Sequence, residues 1–194
     1  MPPSIPWPNG LSGNHLRTMY PDLDWIPGPK MFAPLSRNSR VSLEAVTKEN
    51  LRTVATLDVT PGQEGLVAPN AFSIAQAHFH PEAWFRAVAA DGIPVGFAML
   101  EDWSIVADRE PQLHEGAPYV ALWRFMIDHR VQKLGFGAQA MRLLIDHART
   151  RPGVRTMLLS FVPKEHNPEP FYLRFGFERT GEVDAGELVM KLKL

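Results

Sequence analysis

"HRVQKLGFGAQAM" occupies residues 129–141, and the fold turns on how this stretch is read. Gly135 and Gly137 flank Phe136, between an apolar run and a helical pattern. Glycine tolerates φ > 0 and lets another group approach the backbone closely. The first N–H groups of a helix have no partner within it and carry partial positive charge, so they suit a phosphate. A strand, a glycine turn and a helix in that order predict an anion cradle.

The flanks supply that order. Upstream, "YVALWRFMI" is apolar on both faces apart from Arg124, which predicts a central buried strand. A charge on such a strand has to find a partner. Downstream, Gly137, Met141, Leu144, Ile145 and Ala148 fall at i, i+4, i+7, i+8 and i+11, one buried face of an amphipathic helix. "RTMLLSFV" reads as another buried strand. "PEPFYLRFGF" reads as a short helix with Gly176 as its stop. "ELVMKLKL" alternates and is expected to close the sheet.

Further upstream, "VSLEAV" reads as a strand. "TKENLRTVATL" reads as a helix with Thr47 as a possible N-cap and Leu51, Val54 and Leu57 on one face. "PGQEGLVAPN" is a loop and "AFSIAQAHF" a short helix. Asp91-Gly92 between two apolar runs marks a tight hairpin. Trp103 to Gly116 is polar and reads as loop. Residues 1–40 hold eight of the 18 prolines, which block helices and central strands. This predicts an irregular arm over 1–40 ahead of a domain over 41–194. The arm's aromatics, Trp7, Tyr20, Trp25 and Phe32, leave two readings open: a segment packed on its own domain or on a neighbouring subunit, or a tail without fixed structure.

"GFGAQA" formally fits the dinucleotide pattern G-x-G-x-x-A, but that site wants an acidic residue about 20 positions on. Here that region is "LLSFVP", with no carboxylate. A P-loop needs Lys-Ser or Lys-Thr after the glycines, and neither follows. "QKLGFG" has instead the form Gln/Arg-x-x-Gly-x-Gly/Ala, with a central strand before it and a helix after. It resembles the acetyl-CoA pyrophosphate loop of the GCN5-related N-acetyltransferases. "LWRFMID" followed by "GFGAQAM" resembles the branch with bacterial spermine/spermidine and diamine acetyltransferases. "NPEPFYLRFGF" is similar to that superfamily's second motif, a short helix ending in Phe-Tyr and then Gly-Phe.

The resemblance implies an α/β (α+β) fold: a mixed, mostly antiparallel sheet flanked by helices, with two central strands splayed at one end. It implies that acetyl-CoA lies in that gap. Pantetheine would pair with the backbone of Phe125, Met126 and Ile127 like an added strand. The loop of Gln132, Lys133, Leu134, Gly135, Phe136, Gly137 and Ala138 would hold the pyrophosphate. Arg130 and Lys133 would assist from the rim.

Tyr172 beside Phe171 and Phe175 is by itself an ordinary core aromatic. The resemblance implies that it is the general acid for the leaving thiolate. Asn167 caps the helix or hydrogen-bonds the cofactor. Glu64, in the loop expected to border the acceptor pocket, and Trp123, on the central strand, are the candidate substrate contacts. His78 and His80 lack a third metal ligand and read as solvated loop histidines, and no metal is expected. Asp146 and His147 are successive helix positions that point apart, so they form no dyad.

With 20 basic and 21 acidic residues, the net charge of −1 argues against a nucleic-acid or membrane-surface partner. Without cysteine there is no disulfide, thiolate metal site or cysteine nucleophile. The N-terminal residues lack a secretory pattern, and no run approaches the roughly 20 apolar residues of a membrane span. A soluble, cytoplasmic protein is expected. The function implied is acetyl transfer from acetyl-CoA to a primary amine of a small, polyamine- or diamine-like molecule, by a homodimer. The alternatives are a non-catalytic acyl-CoA-binding module or regulator and a protein N-acetyltransferase, because a fold does not choose a substrate.

Overall fold

A computed structural model describes residues 35–106, 113–165 and 167–194. The proline-rich arm falls largely outside the described residues, as does the middle of the 103–116 loop. Regular structure begins with β1 (Val41–Glu44). It runs into a one-turn helix α1 (Leu51–Ala55) and a longer α2 (Asn70–Ala77). Strands β2 (Ala83–Ala90) and β3 (Ile93–Asp102) form the expected hairpin. At its tip Asp91 (φ 49°) and Gly92 (φ 76°) both take positive φ, the geometry of a type I′ turn. Two short strands, β4 (Leu113–His114) and β5 (Ala117–Pro118), pair only with each other. Then come β6 (Val120–Ile127), α3 (Phe136–Arg149), β7 (Thr156–Phe161), α4 (Glu169–Leu173), β8 (Glu178–Asp184) and β9 (Glu187–Lys193).

Seven strands form one mixed sheet in the order β1-β2-β3-β6-β7-β9-β8. Every neighbouring pair is antiparallel except β6 with β7. The strand read as central, β6, is the fourth of the seven. The helices take opposite faces. Asn70 at the start of α2 reaches Met126 Sδ at 3.6 Å. On α3, His147 stacks on Trp84 with ring centroids 3.9 Å apart. Register and strand alternation put Trp84 and Met126 on different sides of the sheet. The α3 face read from the sequence is the buried one: Met141, Leu144, Ile145 and Ala148 pack inward with Phe136 and Ala140.

Two expectations need correction. Strand β9 does not close the sheet, because β8 lies outside it as the edge. Strand β8 is almost wholly exposed and interrupted by Gly181, so it carries no alternation to read. Helix α1 is shorter than expected, and Thr47 does not cap it with its hydroxyl. The Thr47 carbonyl accepts from Leu51 N–H at 2.8 Å, while Asn50 Oδ1 accepts from Thr47 N–H at 2.8 Å. No helix among the described residues is long and apolar enough to cross a membrane.

Candidate active site

Strands β6 and β7 share only three pairs, Val120–Met157, Ala121–Leu158 and Leu122–Leu159. Beyond Leu122 the two diverge, so the β7-facing edge from Trp123 to Ile127 meets no strand. A β-bulge begins the divergence. Leu122 faces Leu100 and Arg124 faces Met99, which leaves Trp123 as the extra residue. A cleft of ≈ 1320 Å³ opens there, lined by Trp123, Arg124, Phe125, Met126 and Ile127 on one side and by Ser160, Phe161 and Tyr172 on the other.

One end of the cleft is the glycine loop. Gly135 sits at the N-cap of α3 with φ 90°, a left-handed conformation that L side chains rarely adopt. The first helical bond runs from Gln139 N–H to the Gly135 carbonyl at 3.1 Å, so the amides of Phe136, Gly137 and Ala138 precede it. No side chain caps this end and its first turn carries no acid. A Cβ on Gly137 would meet Ile127 and Phe171 only at 3.5 Å or more. These are the features an anionic pyrophosphate needs. Lys133 is exposed at the cleft, with φ 65°. The Phe136 side chain packs into the core, and Leu134 adjoins the cleft without lining it.

The side chains of two residues expected at the phosphate make bonds within the protein. The Gln132 amide donates to Gln63 Oε1 at 2.8 Å and to the Ile127 carbonyl at 2.9 Å. That carbonyl is therefore already taken on the edge expected to pair with pantetheine. Arg130 is committed to Asp128, with Nε–Oδ1 at 2.7 Å and Nη2–Oδ2 at 2.8 Å. Asp128 is fully buried and also accepts from the amides of Arg130 and Asp58. Burial alone would raise its carboxyl, but these bonds outweigh burial and hold it below the usual carboxylate range.

Tyr172 projects from α4 and is 7% exposed. Its ring lies edge-on to Phe171 and Phe177, at 5.4 and 5.9 Å. Burial pushes its phenol well above the usual tyrosine range, so it stays protonated at any working pH. Asn167 makes two local bonds: Oδ1 accepts from Glu169 N–H at 3.0 Å, and Nδ2 donates to the Lys164 carbonyl at 2.9 Å. Its side chain thus does fasten the start of α4, and it also lines the cleft.

Glu64, exposed on the loop after α1, lines the cleft. Ser160 Oγ donates to Glu187 Oε2 at 2.5 Å. Arg124 does not find the close acid its place on the strand calls for. Among the described residues it donates to the Trp123 carbonyl at 2.9 Å and stacks 5.3 Å from the Trp123 ring, while its Nε is buried without a partner. Desolvation lowers its pKa, and Glu187 and Glu101 work against that fall. His80 is not a free loop histidine, since its Nδ1 lies 2.8 Å from Glu82 Oε1. No group of three or more metal-ligating side chains occurs among the described residues. Asp146 pairs with Arg149 at 3.1 Å and shares nothing with His147. The pairing of His80 with Glu82 escaped the sequence reading, although "HPE" places a proline turn between the two partners.

Residues 43–177 match the acetyltransferase (GNAT) family, and the chain belongs to it. Over 161 residues it is 28% identical to the spermine/spermidine N(1)-acetyltransferase of Bacillus subtilis (strain 168), covering 79% of this chain and 99% of that protein. It is similar in structure to aminoglycoside acetyltransferase AAC(6')-Ib in complex with coenzyme A, with a TM-score of 0.63, 16% identity, and 79% of this chain against 95% of that one. It is also similar to the PaiA N-acetyltransferase of Thermoplasma acidophilum in complex with coenzyme A, with a TM-score of 0.56, 16% identity, and 80% against 99% coverage. The protein is an acetyltransferase, and acetyl-CoA is its acyl donor.

Proposed function

We propose that the protein transfers the acetyl group of acetyl-CoA to a primary amine of a small, polyamine- or diamine-like molecule. The observation that carries this reading is the cleft itself. An unpaired strand edge leads from an anion cradle at α3 to a buried, protonated tyrosine, and opens beyond it toward Trp123 and Glu187. Amides of the loop, Lys133 to Ala138, hold the pyrophosphate, and Phe125 and Met126 offer backbone to pantetheine. Tyr172 protonates the departing thiolate. The polyamine class is supported by the relatives whose names carry it and by two acids that line the cleft, Glu64 and Glu187. The homodimer and the cytoplasmic location belong to the same proposal, and sedimentation tests the first.

The deciding experiment follows thiol release from acetyl-CoA over polyamines, diamines, aminoglycosides, amino acids and peptides. Turnover greatest with di- and polyamines is expected. Turnover confined to peptides would overturn the small-molecule reading, and tight acetyl-CoA binding with no turnover would overturn the catalytic one.

A further inference from the structure

A primary ammonium with a pKa near 10 is neutral in only about one molecule in a thousand at pH 7. Acetyl transfer to such an amine needs a proton acceptor at the open end of the cleft. We propose that His80 is that base and that Glu82 is its positioning residue. This rests on the amine-acetyltransferase reading above.

The chain builds the pair locally. Pro81 sits between the partners in a turn closed by Ala83 N–H on the His80 carbonyl at 2.9 Å. The turn is fixed at both ends. His80 N–H donates to the Ala77 carbonyl of α2 at 3.2 Å, and Asp102 N–H of β3 donates to the Glu82 carbonyl at 2.7 Å. The side chains meet with Nδ1 and Oε1 2.8 Å apart. The Glu82 side chain is 5% exposed and that of His80 37%, so the acid lies behind and the imidazole in front. A carboxylate at Nδ1 requires that nitrogen to carry the proton, which leaves the Nε2 lone pair as the basic site.

The imidazole packs against one residue of the cleft wall. It lies edge-on to Trp123, with ring centroids 4.9 Å apart, and Trp123 is the bulge residue where the cleft opens. Two carboxylates act on it, Glu82 from its own turn and Glu101 from β3, and Arg124 of β6 acts on the same Glu101. The Glu101 carboxyl is raised by burial first, and it senses Glu82, His80 and Arg124 together.

The step balances. Through a water, His80 Nε2 takes one proton from the ammonium and passes it to solvent. The freed nitrogen lone pair forms the C–N bond at the thioester carbonyl, and the C–S bond breaks with its electrons on sulfur. Tyr172 protonates the thiolate. The second proton lost by nitrogen returns through water to the tyrosine. The products are the N-acetyl amine, free thiol and one proton.

The test uses the full chain with spermidine as acceptor, between pH 6 and 10. His80→Gln should lower kcat/KM at pH 7 by roughly 10²-fold. Acetyl-CoA affinity should hold. Added imidazole should restore part of the activity of His80→Gly. Glu82→Gln should lower kcat with the acceptor KM unchanged, a split that mere support of the turn would not produce. A His80→Gln enzyme with wild-type turnover overturns the base alone. A wild-type protein inert toward spermidine and every other amine overturns the acceptor reading and the base with it.

Discussion

Gln132 and Gln63 stand 69 residues apart in sequence, and their side-chain amides meet at 2.8 Å. Through that bond the glycine loop, which begins at Gln132, grips the 3₁₀ turn Pro61–Gln63 just before Glu64. The same Gln132 amide holds the end of β6 through the Ile127 carbonyl. One side chain therefore sets the spacing between the glycine loop and the loop that carries Glu64.

Gln132→Leu removes both bonds and leaves the Ile127 carbonyl without this donor, while Gln63 Oε1 still accepts from Thr60. A loss of about 1–3 kcal/mol is expected, read as a lower urea midpoint with an unchanged slope. The acceptor KM should rise with it, because the Glu64 loop loses its tether. An unchanged midpoint would show that the contact contributes nothing.

The two glycines should separate by variant. Gly135 has φ 90°, so Gly135→Val carries backbone strain of roughly 1–3 kcal/mol and should lower the melting temperature. At Gly137 a Cβ meets only ordinary contacts, so Gly137→Ala should keep wild-type stability. Both should weaken acetyl-CoA binding, Gly135→Val by about tenfold or more, near 1.4 kcal/mol. Calorimetry on each variant checks this, and unchanged affinity in both would remove the loop as the cradle.

Tyr172→Phe keeps the ring against Phe171 and Phe177 and removes one hydroxyl. Turnover should fall by roughly 10²-fold or more, the usual worth of a positioned acid. Acetyl-CoA affinity should hardly change, because the lost interaction belongs to the transition state. Wild-type turnover in this variant would assign the proton to another group.

Asp128 should make the fold acid-sensitive. Its carboxyl is held below the unfolded value of about 3.9. Its contribution is therefore complete above that value and is lost as pH falls through the lower folded one. The urea midpoint should be flat above about pH 5 on this account and drop below about 4. Asp128→Asn should cost roughly 2 kcal/mol, less than a fully buried pair because Arg130 is 38% exposed. It should also lose part of the acid slope.

What the sequence made legible was local. The two-faced apolar run of β6, the face of α3 and the Asp91-Gly92 turn each carry their signal within a few residues, and each was found where expected. The family resemblance extended that to the splay of β6 from β7. The unread parts are set by distant partners. Strand β8 is an edge with six of its seven residues exposed, so it shows no apolar period. The bulge at Trp123 exists only against Met99 and Leu100. The Gln63 partner of the Gln132 side chain lies 69 residues away and leaves no local signal.

The three pairs between β6 and β7 carry a mechanical consequence. They are the whole backbone seam between four strands on one side and three on the other, so the sheet is most weakly stitched at its middle. Without ligand, hydrogen exchange should open the chain along that seam before the hairpins on either side loosen. A donor molecule bound along the free edge of β6, as proposed above, should act as a suture. Its affinity becomes cohesion between the halves, and the melting temperature should climb with the logarithm of its concentration.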